Sequence, residues 1–505
     1  PAKAELIKYP IAGGVSHEVT LGVVNNINSA PTYLKIDGPK DQYLTSIAWT
    51  PDANSLIVGV LNRDQNHLKV NKYGAISGEL EMALFEEKHD KYVEPEHAPW
   101  FLPNSQSEFL WFSKRCGFQH LYAYNAEGDT PRQITRGDWE VHEILGFDAS
   151  GQKLLVNGTG ETINGGVFPN EDFNGTQLFT YQIDFSLGNH VLVDSTKGTH
   201  YSKLSSTGEY LLDQFTSVDT PLSVSVIELS SKGKRELISA EDPMEDYGIS
   251  KPELFSTNAD DGETLYGRII KPADFDAKKK YPVLVYLYGG PHVQLITDSY
   301  LAAAPLWMYW FANQGYIVAT IDGRGSANRG LDFEQTTFRN LGVYEMGDQM
   351  TLVNYLKSQT YVDGTRMGIH GWSYGGFMTI NMMLTYPGLF NAGVAGGPVC
   401  DWSMYEVMYT ERYMDTPKTN PEGYKHANLV ERAKTLSDDL LIIHGTMDNV
   451  VVWQHSQAFL KSCIDNKIQL DYFVYPGHEH NVRGKDRVHL MKKVLTHIQE
   501  GIEGE

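Results

Sequence analysis

The sequence predicts two architectures in one chain. Residues 1–244 read as an all-β, partial β-propeller, and residues 245–505 as a doubly wound α/β domain with a mostly parallel sheet. Three observations carry that reading. From about Tyr43 to Leu237 the chain consists of short alternating or β-rich runs broken by turn residues, without sustained helical periodicity. A turn motif recurs along this half. After about Glu245, apolar strand runs alternate with helical stretches, which is how a parallel sheet covered by helices is written.

In the first half the strand candidates include Thr45–Trp49, Ser55–Leu61, Phe109–Ser113, Leu121–Tyr124 and Leu178–Ile183. The recurring motif is an aromatic or apolar residue, a turn, then a strand: Trp49-Thr50-Pro51-Asp52, Phe101-Leu102-Pro103-Asn104, Phe147-Asp148-Ala149-Ser150-Gly151 and Leu204-Ser205-Ser206-Thr207-Gly208. Pro51, Pro103, Asp148 and Ser205 are 52, 45 and 57 residues apart, near the length of a four-stranded propeller blade. Four blades are legible. Since propellers have four to eight blades, a ring of seven or eight would have its first blades outside this sequence.

In the second half the strand candidates are Tyr281–Tyr288, Tyr316–Ile321, Met367–His370, Ala392–Ala395, Leu440–His444 and Leu470–Tyr475. Helical patterns lie between them at Ala302–Asn313, Tyr344–Ser358, Gly376–Tyr386 and Trp453–Asn466. At 505 residues, with 41% hydrophobic and 21% charged, the composition is globular and excludes collagen-like, coiled-coil and wholly disordered chains. The net charge of −21 supplies no basic surface for a phosphate backbone, so nucleic acid is excluded as a partner. Three scattered cysteines, Cys116, Cys400 and Cys463, make neither a disulfide framework nor a CxxC zinc site. No window of about 18 apolar residues predicts a membrane span.

The chemistry centres on Gly371-Trp372-Ser373-Tyr374-Gly375, a GxSxG element between a strand and a helix. A serine hydroxyl is a weak nucleophile and needs a histidine base oriented by a carboxylate. In such a sheet these follow in the order Ser, Asp, His. Asp448 stands in the turn after Leu440–His444, and His478 and His480 stand in the turn after Leu470–Tyr475, both beyond carboxyl ends of strands, where open sheets place ligands. Spacing alone does not choose between the two histidines. An oxyanion formed in acyl transfer needs aimed donors: the backbone N–H of Tyr374, and a group from the turn Tyr288-Gly289-Gly290-Pro291-His292. No HExxH helix accompanies the histidines, and Gly323-Arg324-Gly325-Ser326 lacks the lysine of a phosphate loop, so neither a metal nor another cofactor is expected.

From about Lys280 onward the chain resembles the α/β-hydrolase domain of the prolyl oligopeptidase clan, in its dipeptidyl peptidase IV branch, and is most similar to the bacterial prolyl tripeptidyl peptidases. The motifs are Tyr288-Gly289-Gly290-Pro291, Asp322-Gly323-Arg324-Gly325-Ser326, Gly371-Trp372-Ser373-Tyr374-Gly375-Gly376, Tyr409-Thr410-Glu411-Arg412-Tyr413 and Tyr475-Pro476 with Glu479-His480-Asn481-Val482. The resemblance implies Ser373 as nucleophile, Asp448 as orienting acid and His480 as base, since the family histidine follows an acidic residue. It implies the Tyr288 phenol beside the Tyr374 amide in the oxyanion hole. Val399, Trp402, Tyr405 and Tyr409, together with the Tyr374 ring, match the apolar cage for a proline, and Glu406 matches an acid that binds the substrate's free amine. One departure stands out: Val450 occupies the place of an asparagine that binds substrate carbonyls in the dipeptidyl branch.

The expected activity is therefore serine exopeptidase cleavage after proline, releasing N-terminal di- or tripeptides from peptides with a free amino terminus. The alternatives on the same scaffold are an acylaminoacyl peptidase or carboxylesterase, and a catalytically silent binding protein. By family analogy alone, the resemblance extends to a homodimer and to a periplasmic or cell-envelope location.

Overall fold

The computed structural model describes residues 7–126, 128, 130–160 and 175–504. Besides a short hairpin of Gly22–Val23 and Thr32–Tyr33, the β half contains four antiparallel meanders of four strands, the last two joined by a single parallel pairing of Leu178 with Thr199. The first comprises Tyr43–Trp49, Ser55–Leu61, His67–Gly74 and Leu80–Lys88, and the second Trp100–Phe101, Glu108–Ser113, His120–Asn125 and Arg132–Gln133. The third runs Val141–Phe147, Lys153–Thr159, Leu178–Asp184 and His190–Leu192, and the fourth Thr199–Leu204, Tyr210–Ser217, Thr220–Glu228 and Gly233–Ser239. These are four propeller blades.

The recurring turn is the hairpin between the first and second strands of each blade. In all four, the amide three residues on donates back: Ala53 to Thr50, Ser105 to Leu102, Gly151 to Asp148 and Gly208 to Ser205. Ala53, Gly151 and Gly208 sit there at φ 56°, 69° and 71°, and Asn104 takes the positive φ, 64°, in the second turn, which favours glycine at that place in the last two. Between blades the cores are aromatic and aliphatic: Phe109, Trp111 and Tyr124 join Ile57 and Val70, while Trp139 and Tyr181 join Leu110 and Leu121.

The α/β half contains one eight-stranded sheet: β1 (Glu253–Asn258), β2 (Thr264–Ile270), β3 (Tyr281–Tyr286), β4 (Ile317–Asp322), β5 (Val362–Trp372), β6 (Ala392–Gly396), β7 (Asp439–Gly445) and β8 (Asp471–Tyr475). Their spatial order is β1-β2-β4-β3-β5-β6-β7-β8. The β1-β2 and β2-β4 pairings are antiparallel and the rest parallel. Helices α2 (Tyr344–Ser358), α3 (Tyr374–Thr385) and α5 (Gln454–Asp465) cover one face, burying Leu352, Phe377 and Phe459. On the other face α1 (Leu306–Ala312) and α6 (Asp486–Glu503) bury Met308, Leu490 and Ile498. Helix α4 (Val407–Met414) lies beyond β6, toward the propeller.

The structure departs from the sequence reading in identifiable places. The antiparallel strands β1 and β2, and helices α4 and α6, were not anticipated. The helix expected over Ala302–Asn313 is broken, because Pro305 starts α1 and Leu301, Ala302 and Ala303 take positive φ before it. The strand expected to reach Tyr288 ends at Tyr286, and Tyr288 turns out of the sheet. The cysteines are free, Cys116 exposed and the other two buried. No helix among the described residues is long and apolar enough to cross a membrane.

Candidate active site

Strand β5 delivers Ser373 directly into α3. The serine has φ 61° and ψ −117°, a conformation that costs an L-residue about 1–3 kcal/mol. The surrounding glycines are what make it attainable. A Cβ at Gly371 would lie 2.3 Å from the Gly375 carbonyl oxygen, one at Gly375 2.4 Å from that of Leu287, and one at Gly376 2.6 Å from that of Gly396. The Ser373 amide donates to Gly396 at 2.7 Å, fastening this elbow to the end of β6. Its side chain is half-buried.

Asp448 follows β7. Its Oδ1 accepts the amides of Val450 and Val451 at 3.0 and 2.9 Å, and its Oδ2 lies 2.7 Å from Nδ1 of His480. His444, on β7 itself, approaches the same Oδ2 at 3.2 Å and was not singled out from sequence. Burial works to raise the Asp448 carboxyl, yet the hydrogen bonds from His444 and His480 outweigh it and hold the group down at about 2. The carboxylate accepts a hydrogen bond from Nδ1–H, which leaves Nε2 of His480 as the basic nitrogen. His478 is committed elsewhere, with Nε2 3.0 Å from Asp486 at the start of α6.

The Trp372 indole donates to the carbonyl of His480 at 2.9 Å, and the imidazole packs on Gly397, where a Cβ would meet its Cε1 at 3.3 Å. Ser373 and His480 thus flank the Gly396-Gly397 backbone. Among the described residues no hydrogen bond joins their side chains, and such bonds commonly tighten only when substrate binds.

Tyr288 brings its phenol near the Ser373 side chain; burial raises its pKa against the lowering effect of that serine, keeping it a neutral donor. The Tyr374 amide is one of the first N–H groups of α3, which have no intrahelical partner. The Tyr374 phenol donates to Glu345 at 2.5 Å. Glu345 also accepts the amides of Gly342 and Val343, and its complete burial pushes the carboxyl up to about 7.

Beyond β6 the rings form three walls. Trp402 and Tyr409 are nearly parallel, 6.0 Å apart with 11° between planes, and Tyr405 stands edge-on to both at 5.5 and 5.6 Å. Tyr374 closes against Trp402 at 5.4 Å, and Val399 is buried beside them. Glu406 caps α4: its two oxygens accept the amides of Met408 and Tyr409 at 2.8 and 2.6 Å. The structure therefore brings Ser373, Tyr288, Asp448 and His480 to one end of the sheet and gathers the aromatic residues next to them.

Residues from the β half hold this wall, and sequence reading missed them. Arg63 grips Glu411 of α4 through two contacts of 2.8 Å, and Gln65 donates to the Met408 carbonyl at 2.6 Å. Ile11 pairs with Glu406 as an antiparallel bridge, while the Tyr9 phenol donates to Val450 at 2.6 Å. Such pairings, spanning hundreds of residues, leave no local periodicity to detect. Glu94, Glu96 and His292 hold ligand-type atoms within 4.8 Å of one another. Glu94 is nevertheless already engaged by His292 and by Arg412, so the group reads as an ion network.

The comparisons with known proteins follow this geometry. Residues 2–222 match the dipeptidyl peptidase IV N-terminal region, and residues 304–505 match the prolyl oligopeptidase family. A Bacteroides ovatus protein assigned as a dipeptidyl aminopeptidase IV superposes with a TM-score of 0.92 at 40% identity, covering 98% of this chain and 71% of its own. The chain belongs to the prolyl oligopeptidase family. Within that family it lies on the dipeptidyl peptidase IV branch. Dipeptidyl peptidase 4 of Porphyromonas gingivalis superposes with a TM-score of 0.87 at 31% identity, covering 98% of this chain and 68% of its own. Mouse dipeptidyl peptidase 8 is 27% identical over 99% of this chain, which spans 63% of that relative's length.

Proposed function

We propose that this chain carries the active centre of a serine exopeptidase, with a β-propeller portion up to residue 244 and a catalytic domain from 245, that cleaves after proline and releases N-terminal di- or tripeptides through an acyl-enzyme. One observation carries the reading: the contact of Asp448 with His480 lies beside a strained Ser373 faced by Tyr288 and next to a box of Trp402, Tyr405 and Tyr409.

In this mechanism His480 Nε2 takes the proton from Ser373 Oγ as it attacks the carbonyl carbon. Asp448 stabilises the imidazolium, and the Tyr288 phenol with the Tyr374 amide receives the oxyanion. The imidazolium then protonates the departing amine, and water repeats the sequence on the ester. A flat, rigid pyrrolidine suits the aromatic box because little conformational entropy is lost on gripping it. Glu406 supplies negative charge for the substrate's amino terminus.

The test is a Ser373→Ala protein assayed on Xaa-Pro and Xaa-Xaa-Pro chromogenic amides. Loss of activity on the order of a millionfold is expected. Cleavage within a few fold of the parent would overturn the proposal, and turnover of blocked termini with indifference to a free amine would move it to the acylaminoacyl peptidase reading. Comparing the two amides decides between di- and tripeptide release.

A further inference from the structure

We propose that His292 is a positioning residue through which the propeller sets the oxyanion loop. This rests on the peptidase reading of the Ser373 site, and the experiment below separates the two.

The loop Tyr288-Gly289-Gly290-Pro291-His292 is fastened at both ends. At one end the Leu287 amide donates to His370 of β5 at 3.1 Å; at the other the His292 amide donates to Gly325 at 2.9 Å. His292 holds φ 61°, a left-handed conformation uncommon for L-residues. Its Nε2 lies 2.7 Å from Glu94 Oε2 of the propeller half, and its Nδ1 lies 3.0 Å from Glu334 Oε1 of the α/β half. The two carboxylate side chains are 11% and 0% exposed.

Both ring nitrogens lie at ion-pair distance from carboxylates, and because the Nε2 contact with Glu94 is not aligned as a hydrogen bond, it is charge that holds the ring there. A neutral imidazole has one N–H and would turn a lone pair toward one of the acids. The clamp therefore holds only with an imidazolium, and the two acids favour that form against the opposing effect of burial. The other groups facing the cluster are Tyr92, Glu96, Lys114 and Glu140 from the propeller half, and Arg412 and Tyr413 from α4. Lys114 pairs with Glu334 and Arg412 with Glu94; burial raises the Glu334 carboxyl against the pull of Lys114 and His292, while the burial of Glu94 is outweighed by His292, Arg412 and Lys114, which hold it down at about 2. A cavity of about 250 Å³ lined by Tyr92, Glu94, Lys114 and Glu334 borders the cluster.

Losing the imidazolium frees one end of a five-residue loop whose other end carries Tyr288. A displacement of about an ångström at a group that stabilises charge costs up to about a hundredfold in rate.

The test compares parent, His292→Gln and Glu94→Gln for kcat and KM on the Xaa-Pro or Xaa-Xaa-Pro amide that the parent cleaves, from pH 6 to 10, and for labelling rate with a fluorophosphonate. For His292→Gln, kcat is expected to fall tenfold to a hundredfold with KM within about threefold, labelling to slow in parallel, and the alkaline limb of the parent profile to disappear. Glu94→Gln, which keeps the ring in place, is expected to move that limb to lower pH. Parent kcat and alkaline limb in both variants would overturn the proposal. So would a loss confined to KM. Failure of the parent itself to label would instead sink the peptidase reading.

Discussion

Trp372 and His480 are joined by one hydrogen bond across 108 residues, from the indole Nε1 to the carbonyl oxygen at 2.9 Å. The residue just before Ser373 thus holds the loop of His480, and two strand ends share a fixed spacing. Trp372→Phe keeps an aromatic ring but removes the donor. The expected result is a fall in kcat of about tenfold with KM unchanged, read by steady-state kinetics on a prolyl amide. An unchanged kcat would show that the loop needs no such tie.

Asp448→Asn preserves shape but offers an amide where His480 requires an acceptor. A loss of about ten-thousandfold in kcat is expected, as the imidazole is held in the wrong tautomer. The parent group also links stability to pH. Its folded pKa of about 2 lies below the usual 3.8, so the stability it contributes is complete above 3.8 and disappears as pH falls toward 2. Acid unfolding monitored by circular dichroism should accordingly flatten between pH 4 and 2 in the variant.

Glu345 has the opposite sign. Its carboxyl is raised from 4.5 to about 7, so the folded state binds a proton more readily than the unfolded chain. Stability from this group is greatest below 4.5 and declines as pH rises to about 7, by on the order of 3 kcal/mol. Glu345→Gln should remove that decline, and a Tm that falls between pH 5 and 7 as steeply as in the parent would contradict it. Because Glu345 accepts the Tyr374 phenol, the same variant is expected to lower kcat modestly through movement of the cage wall.

Glu406→Ala removes the N-cap of α4 and a charge beside the box. The cap accounts for about 1 kcal/mol, seen as a lower denaturation midpoint. The charge predicts a higher KM for substrates with a free amine and an unchanged KM for their acetylated counterparts. An equal rise for both would assign Glu406 to helix capping alone.

Much of the fold was legible because it is written in short-range signals. The hairpin turns at Pro51, Pro103, Asp148 and Ser205 recur with the blades, and α2 matches its expected range Tyr344–Ser358. Helix α4 escaped because its eight residues offer too few turns to establish a period, and α1 was overextended because Pro305 divides an otherwise apolar run. At the site, the serine motif was readable because glycine is sterically demanded at Gly371 and Gly375. Arg63, His292 and His444 carried no such mark.

What the sequence alone determined is the kind of chemistry and the scaffold that bears it: turn periodicity, strand and helix alternation, and a glycine-flanked serine are properties of neighbouring residues, and neighbours interact in any conformation close to the native one. Only the tertiary structure decided which partner each polar group takes. Asp448 goes to His480 while His478 goes to Asp486, and Glu94 of one domain meets His292 of the other. The physical reason is that a charge or hydrogen bond acts over a few ångströms of space, and the distance between those atoms does not exist until the chain has folded.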